Sequence, residues 1–558
     1  YNAGEISFTT LQPITKESRI VVEFQYTEQN YLRSVFYGSS GYEDANSRTS
    51  VSFYSEQDSK NQSLLRDLTD EEKEILSRVG DNLEEATVSA IAPSAFRDDV
   101  VLYELRDSLG FDSVLVVSAD STQALFQASF TFLGANRGNY ELARSDANGR
   151  AFRWVPPVNG VPQGSYEPVR QLIAPNQLQI LNVRHQSRIG KNTIDLDLAG
   201  SRNDLNLFSD LGEGNDVGVA GKLAYGRSQD FLNGELQGRI NYEFNQDQFA
   251  TIERIRRVEF ARDWNLPLNY NAGLQLGGVE LAYVEDSLQL AYNADFMNID
   301  AFNGFKNQVA LQFRNRRRMG YARGSILNTS DSLQTTSFLR ESFRLTEYLT
   351  PGWWVGSGSV GEWNQRRFNG TDSLQPASYN FFEYRFFTGL GDTTGNFLEA
   401  FFMQRWDDTA TTGDFLRFSQ VNSYGLNSQA RTQFNSTLNA RINIRDLKVF
   451  QPEELPLART ITTRLNYVQR LFQNAIISNT FYETGGGTEP RRTFSYIQVP
   501  AGTGTHTHTD YNNNGIKELG EFELAPTPDL ATYVRVFTPS NEFLRTSIIR
   551  LSQTFNVS

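Results

Sequence analysis

Cysteine is absent from the 558-residue chain, which excludes disulfide frameworks, thiolate metal sites and cysteine nucleophiles. Long apolar runs are missing too. No stretch approaches the ~18 consecutive apolar residues of a membrane-crossing helix, and mean hydropathy is −0.46. A helical membrane protein is therefore excluded. Positive charge is in deficit: 52 lysines and arginines stand against 65 aspartates and glutamates, a net charge of −13. That balance argues against nucleic acid or an anionic membrane surface as the main partner. Histidine is scarce, with His185, His506 and His508 the whole supply. His506 and His508 alternate in Thr-His-Thr-His-Thr, and two ligands do not close a metal site. There is no Gly-x-Ser-x-Gly elbow and no histidine set beside a nucleophile or a carboxylate pair. The chain is not expected to be an enzyme. It shows no signal peptide, and a chain opening at Tyr1 is expected to be a mature or truncated form.

What is present in excess is aromatic: 13 % of residues, with 40 Phe and 24 Tyr. Those rings are distributed with a period of two. From Arg431 to Arg445, Phe434, Leu438, Ala440, Ile442 and Ile444 alternate with Arg431, Gln433, Asn435, Asn439, Arg441, Asn443 and Arg445. A strand sends successive side chains to opposite faces, so this one has an oily face and a wet one. Read as a single strand it is about 50 Å long, longer than the hydrocarbon core of a bilayer. A sheet with one solvated face gives the same alternation, and repetition decides between the two. Leu236, Ile240, Tyr242 and Phe244 oppose Gln237, Arg239, Asn241 and Glu243; Leu339, Phe343 and Leu345 oppose Arg340, Ser342 and Arg344. The last strand sets Ile549, Leu551, Phe555 and Val557 against Arg550, Ser552, Thr554 and Asn556. Turn clusters fall between strands at Asn303-Gly304, Asn328 to Asp331, Asn369-Gly370 and Gly485 to Gly487. From Gln177 on, this pattern accommodates about 16 to 20 strands. A soluble sandwich would turn every ~8–12 residues, and only a closed barrel leaves no sheet edge unpaired in lipid. The expected fold is all-β: a transmembrane antiparallel β-barrel with a small α+β accessory or plug domain near the N-terminus.

Three regions divide the chain. Residues 1–57 read as strands, with Ile20, Val22, Phe24 and Tyr26 alternating against Val21, Glu23 and Gln25, either the start of the barrel or a separate β domain. Residues 58–175 read as the small α+β domain, periplasmic or plugging the barrel, or independent on a linker. It contains a capping box at Thr69-Asp-Glu-Glu72 and a helix ending at Gly80. Short strands are expected at Val100–Leu105, Val114–Ser118 and Ala124–Leu133, followed by two alike elements, Gly138-Asn-Tyr140 and Gly164-Ser-Tyr166. Residues 176–558 read as the barrel, with a calcium-loop-like insertion at 505–525.

That insertion carries the sharpest motif. Asp510-Tyr-Asn512-Asn-Asn514-Gly515-Ile516-Lys-Glu518-Leu-Gly-Glu521 matches D-x-[DN]-x-[DN]-G-x5-E without a gap. Asp510, Asn512, Asn514, the Ile516 carbonyl, Glu518 and Glu521 would supply oxygen to calcium, with Gly515 permitting the turn. An accidental Asn/Gly-rich surface loop is the competing reading. Strands flank the motif, so a structural clamp is expected rather than a sensor. Arg314, Arg316, Arg317 and Arg318, with Arg340, Arg344, Arg366 and Arg367, would either line a basic lumen or pair with acids such as Glu341 and Glu383. Pairing is the expectation. The acidic run Asp204, Asp210, Glu213 and Asp216 is expected to be a solvated loop.

Three segments carry a family resemblance: Ser201-Arg-Asn-Asp204-Leu-Asn206-Leu-Phe208-Ser209, Val258-Glu-Phe260-Ala-Arg262-Asp263-Trp264, and the 510–521 loop before a terminal hairpin. Over its last two-thirds the chain resembles the large outer-membrane β-barrels of the Bacteroidota. The resemblance implies an integral protein of the bacterial outer membrane, touching the lipid bilayer and able to join an envelope complex with other proteins or lipoproteins; it implies no catalytic residue and no substrate. Two functions stay open. One is a transport or translocation conduit, porin-like. The other is a non-conducting scaffold that anchors partner proteins or surface lipoproteins.

Overall fold

The computed structural model describes residues 20–22, 30–64, 66–97, 100–146, 149–266, 273–371, 373–392, 395–431, 436–450, 457–498, 504–509, 511, 517–527 and 531–557. One antiparallel sheet of 21 strands dominates it. Two of those strands are three residues long, His506–His508 and Phe522–Leu524. The remaining nineteen form the wall. They are β1 (Tyr31–Glu43), β2 (Ser47–Ser63), β3 (Gln177–Ile189), β4 (Asn192–Asp204), β5 (Val217–Phe231) and β6 (Gly234–Asn245). Next come β7 (Leu274–Glu285), β8 (Leu288–Ile299), β9 (Phe302–Arg314), β10 (Arg318–Ser330), β11 (Gln334–Thr350), β12 (Trp353–Phe368) and β13 (Tyr379–Gly391). The series closes with β14 (Phe397–Ala410), β15 (Phe415–Arg431), β16 (Thr437–Val449), β17 (Ala458–Leu471), β18 (Ile476–Gln498) and β19 (Tyr533–Val557). Each pairs antiparallel with the next, β2 with β3 across the intervening domain. Residues 1–57 thus contribute two wall strands. Phe24 and Tyr26 lie outside the described residues.

The alternation sorts the two faces. Leu236, Ile240, Leu281, Leu290, Val309, Leu339, Phe386, Leu398, Tyr424, Leu426, Ile442 and Ile461 are all more than a third exposed, a band of large apolar side chains on the outside. In lipid that band is satisfied, whereas water would leave it bare. The opposite face carries amides, carboxylates and guanidinium groups, as the sequence pattern requires.

Four details differ from the sequence expectation. The segment Arg431–Arg445 is not one strand: Arg431 ends β15 and Thr437 opens β16. The parity of Leu438 to Ile444 is as read, but polar residues before Ser436 continue the alternation by chance, and period alone cannot mark the reversal. Asn303-Gly304 lies within β9 and Gly485 to Gly487 within β18. Gly304 is there for close packing: a Cβ on it would stand 3.1 Å from the Trp264 ring. Ala124–Leu133 is broken into Phe126–Ala128 and Thr131–Phe132.

The stretch 64–176 holds a helix and several short strands, and β2 runs to Ser63, six residues past 57. Its helix α1 (Asp70–Val79) starts on the full capping box, with Thr69 and Glu72 exchanging hydrogen bonds. It stops at Gly80, whose φ of +59° suits glycine. The two alike elements meet, Gly138 and Gly164 exchanging backbone hydrogen bonds. Each glycine lies against the backbone of the other element's tyrosine, where a Cβ would come within 2.4 Å of the carbonyl oxygen.

The unit is fixed to the rim of the wall through α1. Asn206 donates from Nδ2 to the carbonyls of Leu76 and Gly80 at 2.7 Å each, taking up two of the helix's terminal acceptors. Ser209 Oγ donates to the Ser77 carbonyl at 2.9 Å. The acidic run is accordingly not a solvated loop throughout: Asp204 and Asp216 are buried, while Asp210 and Glu213 are exposed. Burial, then repulsion from Asp204 and Asp81, raises the Asp216 carboxyl above its ordinary value.

The two ends of the wall are unequal. At one end the connections are tight, Asp44–Asn46, Gly190–Lys191, Leu232–Asn233, Asp286–Ser287, Asn315–Arg317, Pro351–Gly352 and Phe472–Ala475. Every long connection leaves the other end: 64–176, 205–216, 246–273, 369–378, 450–457 and 499–532.

Candidate functional site on the inner wall

The segment 246–266 folds back over the inner wall. Three contacts lead it inward. Gln246 Oε1 accepts from the Val219 amide at 2.9 Å, Ala250 N–H donates to Ser201 Oγ at 2.9 Å, and Arg256 pairs with Glu243. It crosses so close to Gly218 that a Cβ there would come within 2.2 Å of the Phe249 nitrogen.

A single helical turn follows, α2 (Phe260–Asp263), and then Trp264 and Leu266 turn into the wall. They are 3 % and 6 % exposed, packed with Leu274, Met297, Ile299, Phe302, Leu327 and Phe338. This is an apolar cluster on the otherwise polar face. The Lys306 ammonium sits 4.2 Å from the centre of the Trp264 ring.

Polar bolts surround that cluster. Arg262 pairs with Glu362 and donates to Tyr379 Oη at 3.0 Å, and Tyr379 donates to Glu362 at 2.8 Å. Asp263 accepts from Arg340 at 2.6 Å. Asn265 is fully buried and exchanges amide hydrogen bonds with Asn364 at 3.0 and 2.9 Å. It also reaches Thr336 at 3.0 Å and accepts from Arg366 at 2.9 Å. Its φ of +51° lies in the left-handed region that asparagine tolerates. Each buried polar atom in this set that finds a partner avoids a desolvation cost of about 1–3 kcal/mol.

The charged residues named from sequence divide accordingly. Arg340 and Arg366 belong to the bolts. Arg405 pairs with Asp407 at 2.6 Å and approaches Glu383 at 4.0 Å, and Arg385 pairs with Glu399 at 2.8 Å. Of the arginines named from sequence, Arg318 and Arg340 pair with acids, whereas Arg344 rests on Phe387 and Arg366 bonds Asn265; Glu341, expected as a partner, is on the outward-facing parity of β11 and accepts from Ser359 at 3.0 Å. Arg314 to Arg318 sit at a tight turn, Arg318 joined to Glu347 at 3.0 Å. His185 hydrogen-bonds Thr49 at 2.8 Å. Sequence reasoning missed the segment 260–266 as an inner-wall element. Its one available signal was Trp264 standing beside three charges with no strand period around it.

Of the calcium-type motif, Glu518 and Glu521 are described; Asp510, Asn512, Asn514 and Ile516 lie outside the described residues. Glu521 is 4 % exposed. Its Oε2 accepts the Glu518 amide at 3.1 Å and lies 3.2 Å from His508 Nε2, while its Oε1 has no hydrogen-bond partner. His506 and His508 flank a ring cluster in which Tyr496 stacks on Phe522 at 4.1 Å. No group of three or more metal-type side chains is assembled among the described residues.

Comparison with known proteins is sparse. A family model described as a domain of unknown function, DUF8818, matches residues 1–28. No curated protein matches. Among solved structures the chain is similar to the FrpB iron transporter of Neisseria meningitidis (F3-3 variant), at 9 % identity and a TM-score of 0.29, covering 82 % of this chain and 67 % of that one. It is also similar to OccAB2 of Acinetobacter baumannii, at 15 % identity and a TM-score of 0.23, covering 54 % of this chain and 92 % of that one.

Proposed function

We propose that this chain forms the wall of a bacterial outer-membrane conduit, narrowed from within by residues 246–266. The observation that carries this reading is the inner segment itself. A wall of nineteen long strands encloses more space than side chains can fill, since ~16–18 strands already leave an aqueous channel. Here a piece of chain is folded against that polar face and fastened at both its apolar and its charged contacts. A scaffold has no need of a fixed narrowing. Purified protein in planar bilayers should give discrete single-channel currents, larger when residues 252–258 are replaced by a short Gly-Ser link. A wild-type protein that folds in detergent yet passes no current would return the reading to the non-conducting anchor.

The wall also has a direction. Outer-membrane barrels keep short turns on the periplasmic side and long connections outside. By that rule residues 64–176 and 499–532 lie on the cell exterior, where the rim-mounted domain is available to other envelope proteins or lipoproteins. This placement departs from the periplasmic or plugging role expected from sequence. It is supported by the rim contacts of α1 and by the 260–266 segment taking the inner-wall position instead.

Calcium at 510–521 belongs to the same proposal. Glu521, with one buried carboxylate oxygen lacking a hydrogen-bond donor, stands where the motif puts its bidentate ligand. Titration calorimetry should show calcium heat that Asp510→Ala removes, with magnesium a weak substitute. Absence of heat, with Asp510→Ala unchanged in thermal stability, dismisses the site.

A further inference from the structure

We propose that the inner wall beside the folded-in segment holds a subsite for a small oxyanion, a carboxylate or phosphate group carried by a solute. The conduit reading supplies its setting; the argument for the site is local. On the inner faces of β8 to β12, Asn293, Gln308, Ser325, Arg340 and Glu362 form one cross-strand row, and Ala310, Arg323, Ser342 and Val360 the next. These rows line an open cavity of about 340 Å³. That is roughly the volume of ten water molecules, room for one charged group and its neighbours.

The charged residues lining the cavity are Arg323, Arg340, Glu341 and Glu362, with Arg344 one row beyond. Arg323 lies directly across from Ser342, and Arg340 and Arg344 flank Ser342 on its own strand. Diagonal neighbours on a sheet face stand roughly 7–8 Å apart, so the three arginines share one patch of the inner wall. Arg323 rests against the Tyr321 ring at 5.6 Å and Arg344 against Phe387 at 4.4 Å. Among the described residues neither is joined to a carboxylate. Arg340 gives one nitrogen to Asp263 and faces Glu362 at 3.6 Å, and its Nε and Nη2 have no hydrogen-bond acceptor. Glu362 is already engaged by Arg262 and Tyr379. Donors left without acceptors are costly to bury, and planar guanidinium groups fit oxyanions in bidentate fashion. Asn293, Gln308, Ser325 and Ser342 add neutral hydrogen bonds of either sense.

The test uses the full chain in detergent, with folding checked by heat-dependent gel mobility. Inorganic phosphate, acetate and glucose are titrated by calorimetry into wild type, the Arg323→Gln/Arg344→Gln double variant, and Arg318→Gln, which alters a tight turn. Saturable phosphate or acetate binding, weakened about tenfold or more in the double variant and unchanged in Arg318→Gln, is expected. Which of the two anions binds identifies the group. Glucose should give no saturable heat. Equal affinity in the double variant, or no saturable anion heat in wild type, overturns the subsite. In planar bilayers the double variant should lose anion preference by about twofold or more. Anion binding in a protein that carries no current would reject the conduit while leaving the subsite intact.

Discussion

Gly304 and Trp264 are a matched pair on opposite sides of one contact. The glycine gives the ring a flat seat, and the ring closes an apolar cluster on a wet face. Trp264→Ala should destabilise the protein by about 3–5 kcal/mol, the usual cost of removing a buried aromatic, read as a lowered thermal midpoint in detergent. Glu72 makes a different residue-scale case. Burial opposes its charge, but the Thr69 amide, Arg66 and Arg170 outweigh burial and hold its carboxyl at about 2. The ordinary glutamate value is ~4.3, so the folded value is depressed. Its contribution to the domain is therefore complete above that ordinary value and disappears as pH falls through about 2. Limited proteolysis of 64–176 should show wild type resistant at pH 4. Glu72→Gln should be more readily cut at pH 7, with the difference gone below about pH 2. A difference that stays the same from pH 7 to pH 2 would refute this account.

At the scale of the element, the segment 246–266 is held by contacts that do not substitute for one another. Arg262→Ala leaves Glu362 with Tyr379 and a more distant Arg340, and frees the helical turn. Single-channel records should then show larger or noisier currents than wild type; unchanged records would mean that the segment does not narrow the path. This element also marks the limit of what sequence reveals. Alternation identified the wall strands and their outward faces, because a two-residue period leaves a signature at every position. The capping box gave α1 and its end, because the signal is local. The two barrel segments that prompted the family resemblance, 201–209 and 258–264, prove to be the clamp on α1 and the bolt on the inner wall. Their partners are residues such as Leu76, Arg340 and Glu362, 77 to 130 positions away. No spacing rule reaches that far. Glu341 was assigned to the wrong face because charge alone does not reveal which parity a residue follows, whereas its neighbours Leu339 and Phe343 do.

At the scale of the whole molecule, the contrast between the two ends allows a clean readout, since the native chain has no thiol. Single cysteines at Asn136 or Asn159 in the domain should react with a membrane-impermeant maleimide on intact cells. Cysteines at Leu232 or Ser287 should react only after the outer membrane is opened. The reverse pattern would invert the assigned direction, and equal reaction at all four sites in both states would remove the membrane from the picture. One feature of the long-loop end has a mechanical side. Strands β18 and β19 are 23 and 25 residues long, about 75–80 Å at roughly 3.3 Å per residue. Pairing of β18 with β17 stops at Thr484, beyond which β18 and β19 have each other and the short strands near their tip. The pair is a mast stepped into the wall over a short base. A load applied at its top would be carried by a two-stranded ribbon, which parts one rung at a time from the free end downward, so the mast would yield before the hull.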